Sequence, residues 1–348
     1  MSGGRYPRWV PGIELREDWL ALTREEIIDP DREIVDPHHH LWTHGTSEAP
    51  AIYELPEFAR DTGSGHKVVQ TVYIECRARW DLDAPAHLQS VAETAYVASL
   101  TAPEAAPIAG IIAHVDLTLP LDLLDEALDA HTASGQGRLV GIRHSGACDR
   151  EPDSLMIPGR GAPGLYANPD FRRGVARLGA RGLAYDTWHY HHQNRDFLDL
   201  ARALPETVMI LDHFGTPLGV GRFAEQRDEI QSAWREDMAD LAQCPNLRAK
   251  LGGLNMPDNG WGWEKNETPP SSDDLLKAQG DWYHHTIDCF GPSRCMFESN
   301  FPVDRTSVDY HVLWNFFKKL AHPFDEEEKN ALFADTARAT YGLPDSSF

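Results

Sequence analysis

Two histidines separated by one residue, His38 and His40, are the side chains of this chain best suited to chemistry. They follow the apolar pair Ile34-Val35 and the acid Asp36. In an extended strand, residues i and i+2 project to the same side, so both imidazoles would face one point. Imidazole nitrogens in that position could bind a metal ion or transfer protons near neutral pH. The spacing therefore predicts a reactive centre at the end of a first strand.

The elements that must position these residues are short apolar runs that alternate with longer helical patterns. Eight runs are predicted as strands: Glu33–Val35, Val68–Glu75, Pro107–Val115, Arg138–Ile142, Leu183–Asp186, Thr207–Leu211, Leu247–Leu251 and Cys295–Ser299. Helices are predicted between them, at Leu15–Ile28 before the first strand, and at Asp325–Tyr341. Such alternation indicates parallel strands joined by right-handed crossovers. A doubly wound sheet is the alternative, but its glycine-rich first turn is replaced here by His-x-His.

We therefore predict a single α/β domain, a (β/α)8 TIM barrel, over residues 33–348, preceded by an N-terminal extension over residues 1–32. Long irregular stretches follow the fourth and seventh predicted strands, at Ser145–Asn168 and Asn255–Ser271. Both belong to the barrel end that carries active sites, where long loops often act as lids.

Ionisable or amide side chains occur at or just beyond nearly every predicted strand end. Besides the first two histidines these are Glu75, Arg77, Arg143, His144, Asp186, His189, His191, His213, Lys250, Glu298, Asn300 and Asp304. Any one of them could cap a helix or pair with a neighbour, but so many at one end predict a site, because buried charge is costly unless it is paired or used. Arg77 and Arg143 could bind a carboxylate through paired hydrogen bonds from their planar guanidinium groups. His144 and Lys250 could assist them, and Trp42 could stack on a substrate ring.

Three carboxylates are candidate general bases. Glu298 lies two residues before Asn300 and would point to the same side of a strand, whereas Asp304 follows in the next loop. Asp186 ends the fifth strand. A carboxylate enclosed by the barrel would have a raised pKa and could accept a proton near neutrality. Glu298 could instead form a buried ion pair with Arg143 or Lys250, and the sequence does not separate Glu298 from Asp304 as the base.

The composition excludes some classes of partner. The chain has 32 basic and 54 acidic residues and a formal charge of −22, which opposes binding to nucleic acid or an anionic membrane. The five cysteines are scattered and include no Cys-x-x-Cys pair, which favours reduced thiols in the cytoplasm. No stretch has the pattern of an apolar signal or a membrane span, so we predict a soluble cytoplasmic protein that acts on a small molecule. Phe316-Phe317 could lie in the core or at a homo-oligomer interface.

Six motifs, in order between Ile34 and Tyr341, carry a family resemblance: Asp36-x-His38-x-His40-x-Trp42, Tyr73-Ile-Glu75-Cys-Arg77, Gly141-Ile-Arg143-His144, Leu211-Asp-His213-x-Gly215, Lys250-Leu-Gly-Gly and Met296-Phe-Glu-Ser-Asn300-Phe-Pro302. Together they resemble the amidohydrolase-2 family, within it the group of sugar lactonases and 2-pyrone-4,6-dicarboxylate lactonase. The resemblance implies a barrel that hydrolyses a cyclic ester or related bond of a small, carboxylated or oxygen-rich substrate. Metal-dependent decarboxylases and hydratases of aromatic or enolic acids share the resemblance and are the alternative. A barrel that binds without catalysis is a third.

The strand-8 motif contains Asn300. The resemblance implies an aspartate at this position in the metal-dependent members of the wider superfamily, so this chain departs from them. An amide is no general base and is a poor zinc ligand. Arg143 stands where two-metal members have a bridging lysine or glutamate, so a two-metal site is not expected. The resemblance implies that His38, His40 and His213 could hold one zinc ion with an open position for water. The group that this chain resembles also includes lactonases that work without metal. The alternative to a bound zinc ion is therefore that the imidazoles polarise the substrate carbonyl directly.

Overall fold

Eight parallel strands form a barrel in the computed structural model, which describes residues 15–45, 50–101 and 105–345. The strands are β1 Glu33–His39, β2 Lys67–Ile74, β3 Ile108–Ala113, β4 Leu139–Arg143, β5 Ala184–Thr187, β6 Met209–Leu211, β7 Leu247–Leu251 and β8 Cys295–Phe297. Each pairs in parallel with the next in chain order. A bridge between His39 and Phe301 joins the last strand to the first, with the His40 amide donating to the Phe301 carbonyl at 2.7 Å. The sequential order confirms the TIM barrel and excludes the doubly wound sheet.

Helices pack around this barrel between the strands. They are α1 Glu17–Leu20, α2 Leu55–Thr62, α3 Val91–Ser99, α4 Leu121–Ser134, α5 Pro169–Ala180, α6 Asn194–Ala203, α7 Arg227–Leu241, α8 Ser272–Phe290, α9 Tyr310–Leu320, α10 Glu326–Asn330 and α11 Thr336–Tyr341, with a π-helical turn Ala331–Asp335 between the last two. Asp325 caps α10 through the Glu328 amide, as its position ahead of a glutamate-rich turn predicts.

Two features near the N-terminus differ from the prediction. The helix expected over Leu15–Ile28 is only the single turn α1, because later backbone amides bond to side chains of α9 instead: the Ile28 amide donates to Asn315 Oδ1 at 2.9 Å. An antiparallel hairpin, Trp42–Gly45 with Pro50–Tyr53, and helix α2 follow β1 and were not predicted. Phe58 of α2 stacks on the His39 ring at 3.9 Å, so this middle histidine faces the outer layer, away from its two neighbours.

The barrel interior is apolar toward the amino ends of the strands and polar toward their carboxyl ends. Inward-facing residues such as Val72, Ile112 and Ile210 are fully buried and cluster with Ala337 and Tyr341 of α11. The closing helix thus fills one end of the barrel, and burial on both faces explains the continuous apolar runs of the strands. The polar residues therefore lie at the opposite end of the barrel, at the carboxyl ends of the strands.

The predicted long loops cover that opposite end. The stretches after β4 and β7 contain only short 3-10 turns, and they are tied together by Asp258, which accepts hydrogen bonds from the amides of Met156 at 2.7 Å and Ile157 at 2.9 Å. Within the described ranges, no helix is both long and apolar enough to cross a membrane. All five cysteines are free thiols.

Candidate active site

Three imidazoles meet at the carboxyl end of the barrel. His38 and His40 come from the end of β1 and its continuation, and His213 comes from the turn after β6. The Nε2 atoms of His38 and His40 are 3.3 Å apart, and the rings of His38 and His213 lie 4.6 Å apart between centroids. His213 has a left-handed backbone, with φ of 55°, which turns its ring back over the barrel. The predicted convergence of strands 1 and 6 is therefore present in the fold.

The Gly252-Gly253 pair after β7 makes room for this arrangement. A Cβ atom at Gly253 would lie 2.4 Å from His213 Nδ1, and one at Gly252 would lie 2.5 Å from the Cγ of Glu298. Gly253 also has a φ of 76°. Only glycine combines that backbone with such close approach, which gives the Lys250-Leu-Gly-Gly motif a physical role in the site.

The Nδ1 atoms of the imidazoles are held by groups behind the site. His40 Nδ1 donates to the Ile74 carbonyl at 2.9 Å, and His213 Nδ1 bonds to Glu298 Oε1 at 2.7 Å. His38 Nδ1 lies 2.8 Å from Glu298 Oε2 and 3.4 Å from the Lys250 ammonium nitrogen. The hydrogen bonds at Nδ1 fix the rings of His40 and His213 and leave their Nε2 atoms for a ligand or a proton, whereas the Glu298 carboxylate lies close to His38 Nδ1 without a hydrogen bond of good geometry.

Behind the imidazoles lies a buried cluster of charged side chains. It comprises the cations Arg143 and Lys250 and the carboxylates Glu75, Asp186, Asp212 and Glu298. Arg143 Nε donates to Glu75 Oε1 at 2.9 Å, and Lys250 Nζ contacts Asp186 Oδ2 at 2.5 Å. The Asp212 oxygens accept no hydrogen bond within the described part of the chain, although Oδ1 lies 3.5 Å from Lys250 Nζ.

This cluster has an excess of negative charge. Four carboxylates face two cations, and burial raises the pKa of Asp212 to about 7 and that of Glu298 well above its ordinary value. Two protons or one divalent cation would balance them.

The donor set also fits such a cation. Two nitrogen ligands of a tetrahedral zinc ion are about 3.3 Å apart, the separation of the His38 and His40 Nε2 atoms. His38, His213 and Glu298 can also each offer an atom within 4.8 Å of the others. Because Glu298 Oε1 is already bonded to His213 Nδ1, Glu298 is placed to orient that imidazole, and the Nε2 atoms of His38 and His40 are the pair whose separation matches two zinc ligands.

Asn300 and Asp304 form a second pair, at the end of β8. Asn300 Nδ2 donates to Asp304 Oδ1 at 2.9 Å, and Asp304 Oδ2 accepts from the Asn255 amide at 3.2 Å. The Asn300 oxygen is left as an acceptor for a group in the cavity. Asn300 has a φ of 54°, a left-handed conformation that asparagine tolerates better than most residues. Asp304 is fully buried, and burial raises its pKa to about 7.

Two neighbouring cavities open above these residues. The imidazole lobe is lined by His40, Trp42, Cys76, Arg143, Ile157, Trp188, His213, Met256, Asn300 and Val303. The arginine lobe is lined by Glu75, Arg77, His114, Arg143, His144, Ser145, Arg160 and Trp188. Arg143 and Trp188 line both lobes, so these two side chains lie between the two cavities.

The predicted residues divide into three groups in this geometry. Those that line a lobe are His40, Trp42, Glu75, Arg77, Arg143, His144, His213 and Asn300. Those buried directly behind the lobes are His38, Asp186, Lys250, Glu298 and Asp304. The third group is His189, which bonds to Tyr166 and Asn194, and His191, whose Nδ1 accepts from the Leu218 amide; both lie outside the two lobes.

Several residues of the site were not among the predicted site residues, and five of them show which signals the sequence contains. Asp212 precedes His213 directly and His114 ends β3, so their positions at strand ends were available signals. Arg160 and Ile157 come from the long loop after β4 and Met256 from the loop after β7. Loop residues reach the lobes only through the paths of the loops, for which the sequence has no pattern.

Comparisons with known proteins agree with this architecture. The family model for amidohydrolases matches residues 35–343. An uncharacterized protein of Sinorhizobium fredii, y4mH, is 30% identical over 332 residues, covering 89% of this chain and 99% of that protein. An L-fucono-1,5-lactonase of Burkholderia multivorans is 26% identical over 321 residues, 89% of this chain and 96% of the lactonase. The crystal structure of an amidohydrolase from Burkholderia multivorans with bound zinc superposes with a TM-score of 0.68 at 24% identity, over 89% of this chain and 99% of that one. The chain therefore belongs to the amidohydrolase family and is an enzyme of the hydrolase type.

Proposed function

We propose that this enzyme hydrolyses a lactone, an oxygen-rich ring ester that water opens at its carbonyl carbon within the imidazole lobe. The observation that carries the proposal is the convergence of His40, His213, Arg143 and Asn300 on one cavity. The name of the Burkholderia lactonase supports the same reaction class.

Arg143 is suited to stabilise the oxyanion of the tetrahedral intermediate. Its guanidinium is held in place by Glu75, through Nε to the carboxylate and NH2 to the backbone carbonyl. Its NH1 lies 3.5 Å from His38 Nε2, beside the imidazoles. A donor fixed before the reaction loses little free energy to reorganisation when charge develops on the carbonyl oxygen.

His213 and Asn300 are suited to handle the attacking water. Burial lowers the pKa of His213 to about 4, so the imidazole is neutral at pH 7 and its Nε2 can accept a proton. The resulting imidazolium would be stabilised by Glu298, bonded to its Nδ1 at 2.7 Å. Asn300 can orient the water through its oxygen, while Asp304 fixes the amide. The proton then passes to the ring oxygen as the carbon–oxygen bond breaks. Of the two predicted bases, Glu298 thus acts through His213 and Asp304 through Asn300.

A divalent ion, zinc for example, would be held by the Nε2 atoms of His38 and His40, which are 3.3 Å apart, and this leaves His213 Nε2 to accept the proton of the attacking water. When bound it would polarise the carbonyl and lower the pKa of a bound water. Elemental analysis should find about one zinc per chain in protein from zinc-supplemented culture and less than one tenth in His40→Ala. A metal-free wild type whose activity survives a strong chelator would instead assign carbonyl polarisation to Arg143 and the imidazoles alone.

The reaction itself is tested by incubating the enzyme with a panel of 1,4- and 1,5-sugar lactones and following acid release with a pH indicator. We expect ring opening of at least one lactone above the spontaneous rate, and none by His213→Ala. Decarboxylation or hydration of an aromatic or enolic acid, with every lactone left intact, would replace this proposal by the alternative. Tight binding of lactones or acids without any turnover would indicate a barrel that only binds.

A further inference from the structure

The turn that follows β2 presents Arg77 to the arginine lobe from an uncommon backbone conformation. Arg77 has a φ of 60°, in the left-handed region that residues with a Cβ atom rarely adopt. Its side chain lines the arginine lobe together with that of Glu75. A conformation of this kind costs free energy and persists only where the surrounding contacts hold it. The contacts of this turn therefore indicate how Arg77 is positioned.

The hydrogen bonds of the turn converge on one carboxylate, that of Glu93 in α3. Glu93 is 2% exposed and is not among the residues that line either lobe. Its Oε1 accepts the backbone amide of Cys76 at 2.9 Å and that of Ala78 at 3.2 Å. The Tyr73 hydroxyl, near the end of β2, donates to the same oxygen at 2.8 Å. Because the two amides flank Arg77, one oxygen atom fixes the backbone on both sides of it.

The other oxygen of Glu93 fixes the surface on which the Arg77 side chain lies. Oε2 accepts the indole N–H of Trp80 at 3.0 Å. The Arg77 guanidinium carbon lies 4.9 Å from the centroid of the Trp80 ring, which is within the range of a cation–π contact. The His114 ring, which also lines the lobe, lies 5.1 Å from the same indole. Hydrogen bonds to Glu93 thus hold both the backbone of Arg77 and the aromatic ring that its guanidinium covers.

The donors around Glu93 require a carboxylate. Within the described residues its hydrogen-bond partners are all neutral, namely the Tyr73 hydroxyl, the Cys76 and Ala78 amides and the Trp80 indole. The amides can only donate to Oε1, and the indole can only donate to Oε2. A carboxylate accepts on both oxygens, whereas a glutamine would turn its NH₂ group toward one set of donors. A buried carboxylate is costly unless hydrogen bonds satisfy it, and here the bonds that satisfy it also fix the turn.

We propose that Glu93 is a positioning residue, which holds the turn after β2 so that the Arg77 guanidinium projects into the arginine lobe and binds substrate there. Glu93 itself touches no substrate and acts through Arg77. The effect on turnover rests on the proposed lactone hydrolysis, whereas the effect on the turn does not. Arg143, the group suited to stabilise the oxyanion, is held separately by the Glu75 carboxylate. Loss of Glu93 should therefore weaken substrate binding more than the chemical step.

The first test needs no turnover and compares the full-length wild type with Glu93→Gln. Hydrogen–deuterium exchange followed by mass spectrometry should be about tenfold faster in the peptides that contain the amides of Cys76 and Ala78, because a neutral oxygen is a weaker acceptor than a carboxylate. Phenylglyoxal, which modifies guanidinium groups, should label Arg77 about threefold faster, because the indole beneath it is no longer fixed. Glu236→Gln, an exposed glutamate of α7, is the matched control and should leave both rates unchanged. Wild-type exchange and labelling in Glu93→Gln would overturn the positioning role.

Trp80→Phe tests the same role if Glu93→Gln fails to fold. It keeps an aromatic ring beneath Arg77 and removes the indole N–H that donates to Glu93. Phenylglyoxal should then label Arg77 about twofold faster than in the wild type, because the ring has lost the hydrogen bond that orients it. In that case an unchanged rate would overturn the proposal.

The second test locates the effect in the reaction, with the lactone of the panel that the wild type hydrolyses fastest. Glu93→Gln should raise KM about tenfold and change kcat less than about threefold, as Arg77→Gln should. The double variant should have the KM of Arg77→Gln, because a positioning residue has no effect once the group it positions is removed. Effects that multiply in the double variant, a fall in kcat at constant KM, or an unchanged KM in both single variants would overturn the action through Arg77. Turnover of no lactone would refute the proposed function, and the exchange and labelling results would then decide the role of Glu93 alone.

Discussion

Replacing Glu298 by glutamine perturbs the site at one point, because this buried side chain contacts two of the three imidazoles. Oε1 bonds to His213 Nδ1 at 2.7 Å, and Oε2 lies 2.8 Å from His38 Nδ1. Glutamine has nearly the same shape, so it keeps the packing and removes the charge. It also places an NH₂ group where one carboxylate oxygen was, near the Lys250 ammonium group or an imidazole N–H. We expect the imidazoles to lose their orientation and His213 to lose the counter-charge of its protonated form.

The size of the effect follows from the contacts. A hydrogen bond to a charged group contributes about 1.5–3 kcal/mol. The contact between Glu298 Oε1 and His213 Nδ1 is a hydrogen bond, whereas that between Oε2 and His38 Nδ1 lacks the geometry of one. Loss of the His213 bond should therefore account for most of the fall in activity. With a smaller contribution from His38, the loss of transition-state stabilisation should be about 3–4 kcal/mol. At about 1.4 kcal/mol per factor of ten, kcat/KM should fall about 10²- to 10³-fold.

Folding should respond in the opposite sense. Burial raises the pKa of Glu298, so the ionised carboxylate costs folding free energy at pH 7, and a neutral amide removes that cost. Thermal unfolding should therefore show a melting temperature equal to or above that of the wild type, alongside the loss of lactone turnover. Glu327→Gln, an exposed acid of α10, is the matched control and should be unchanged in both measurements. Wild-type turnover by Glu298→Gln would refute the role of Glu298 behind the imidazoles, and a collapsed melting temperature would mean that its role is structural.

Three further predictions follow from other contacts. Asp304→Asn should lower kcat about tenfold with little change in KM, measured by steady-state kinetics, because it removes the charge that fixes the Asn300 amide. His131 is buried between Ser90 and Thr94, and burial lowers its pKa to about 4. Between pH 6.5 and 4 the unfolded chain binds a proton that the folded chain does not, so the free energy of unfolding should fall by about 3 kcal/mol as the pH is lowered through that window. Denaturant titrations should show a smaller fall in His131→Gln. Asp258→Asn should raise KM about tenfold with kcat nearly constant, because it unties the loop after β4 from that after β7; unchanged kinetics would mean that the loops are held closed by other contacts.

The fold was predictable because its signals are local. Strands covered on both faces are apolar throughout, and β7 was predicted with its observed bounds, Leu247–Leu251. The first strand was predicted too short, since Pro37 interrupts its pattern. The strand nevertheless continues to His39, with a register shift in its pairing with β2 between Asp36 and His39. A proline lacks the amide that a regular ladder needs, so the irregular pairing accommodates it.

The residues that form the site could be predicted, but not which of them line the cavity and which lie behind it. Strand ends gather at one end of a barrel, so His40, His213, Arg143 and Asn300 could be grouped without coordinates. Whether a side chain faces the cavity or lies behind it depends on tertiary partners. Asp186 illustrates this, because its carboxylate accepts from Tyr341, 155 residues later in the chain. No local pattern predicts such a contact.

The most direct test of the central claim, that the imidazoles and the Asn300 turn form one reactive centre, is the kcat/KM for lactone hydrolysis in His213→Asn beside the wild type. His213 joins the groups of that centre, since it lies against His38, bonds to Glu298 and lines the imidazole lobe. We predict a loss of at least a thousandfold in a variant that still unfolds cooperatively. Turnover within tenfold of the wild type would place the chemistry elsewhere in the molecule.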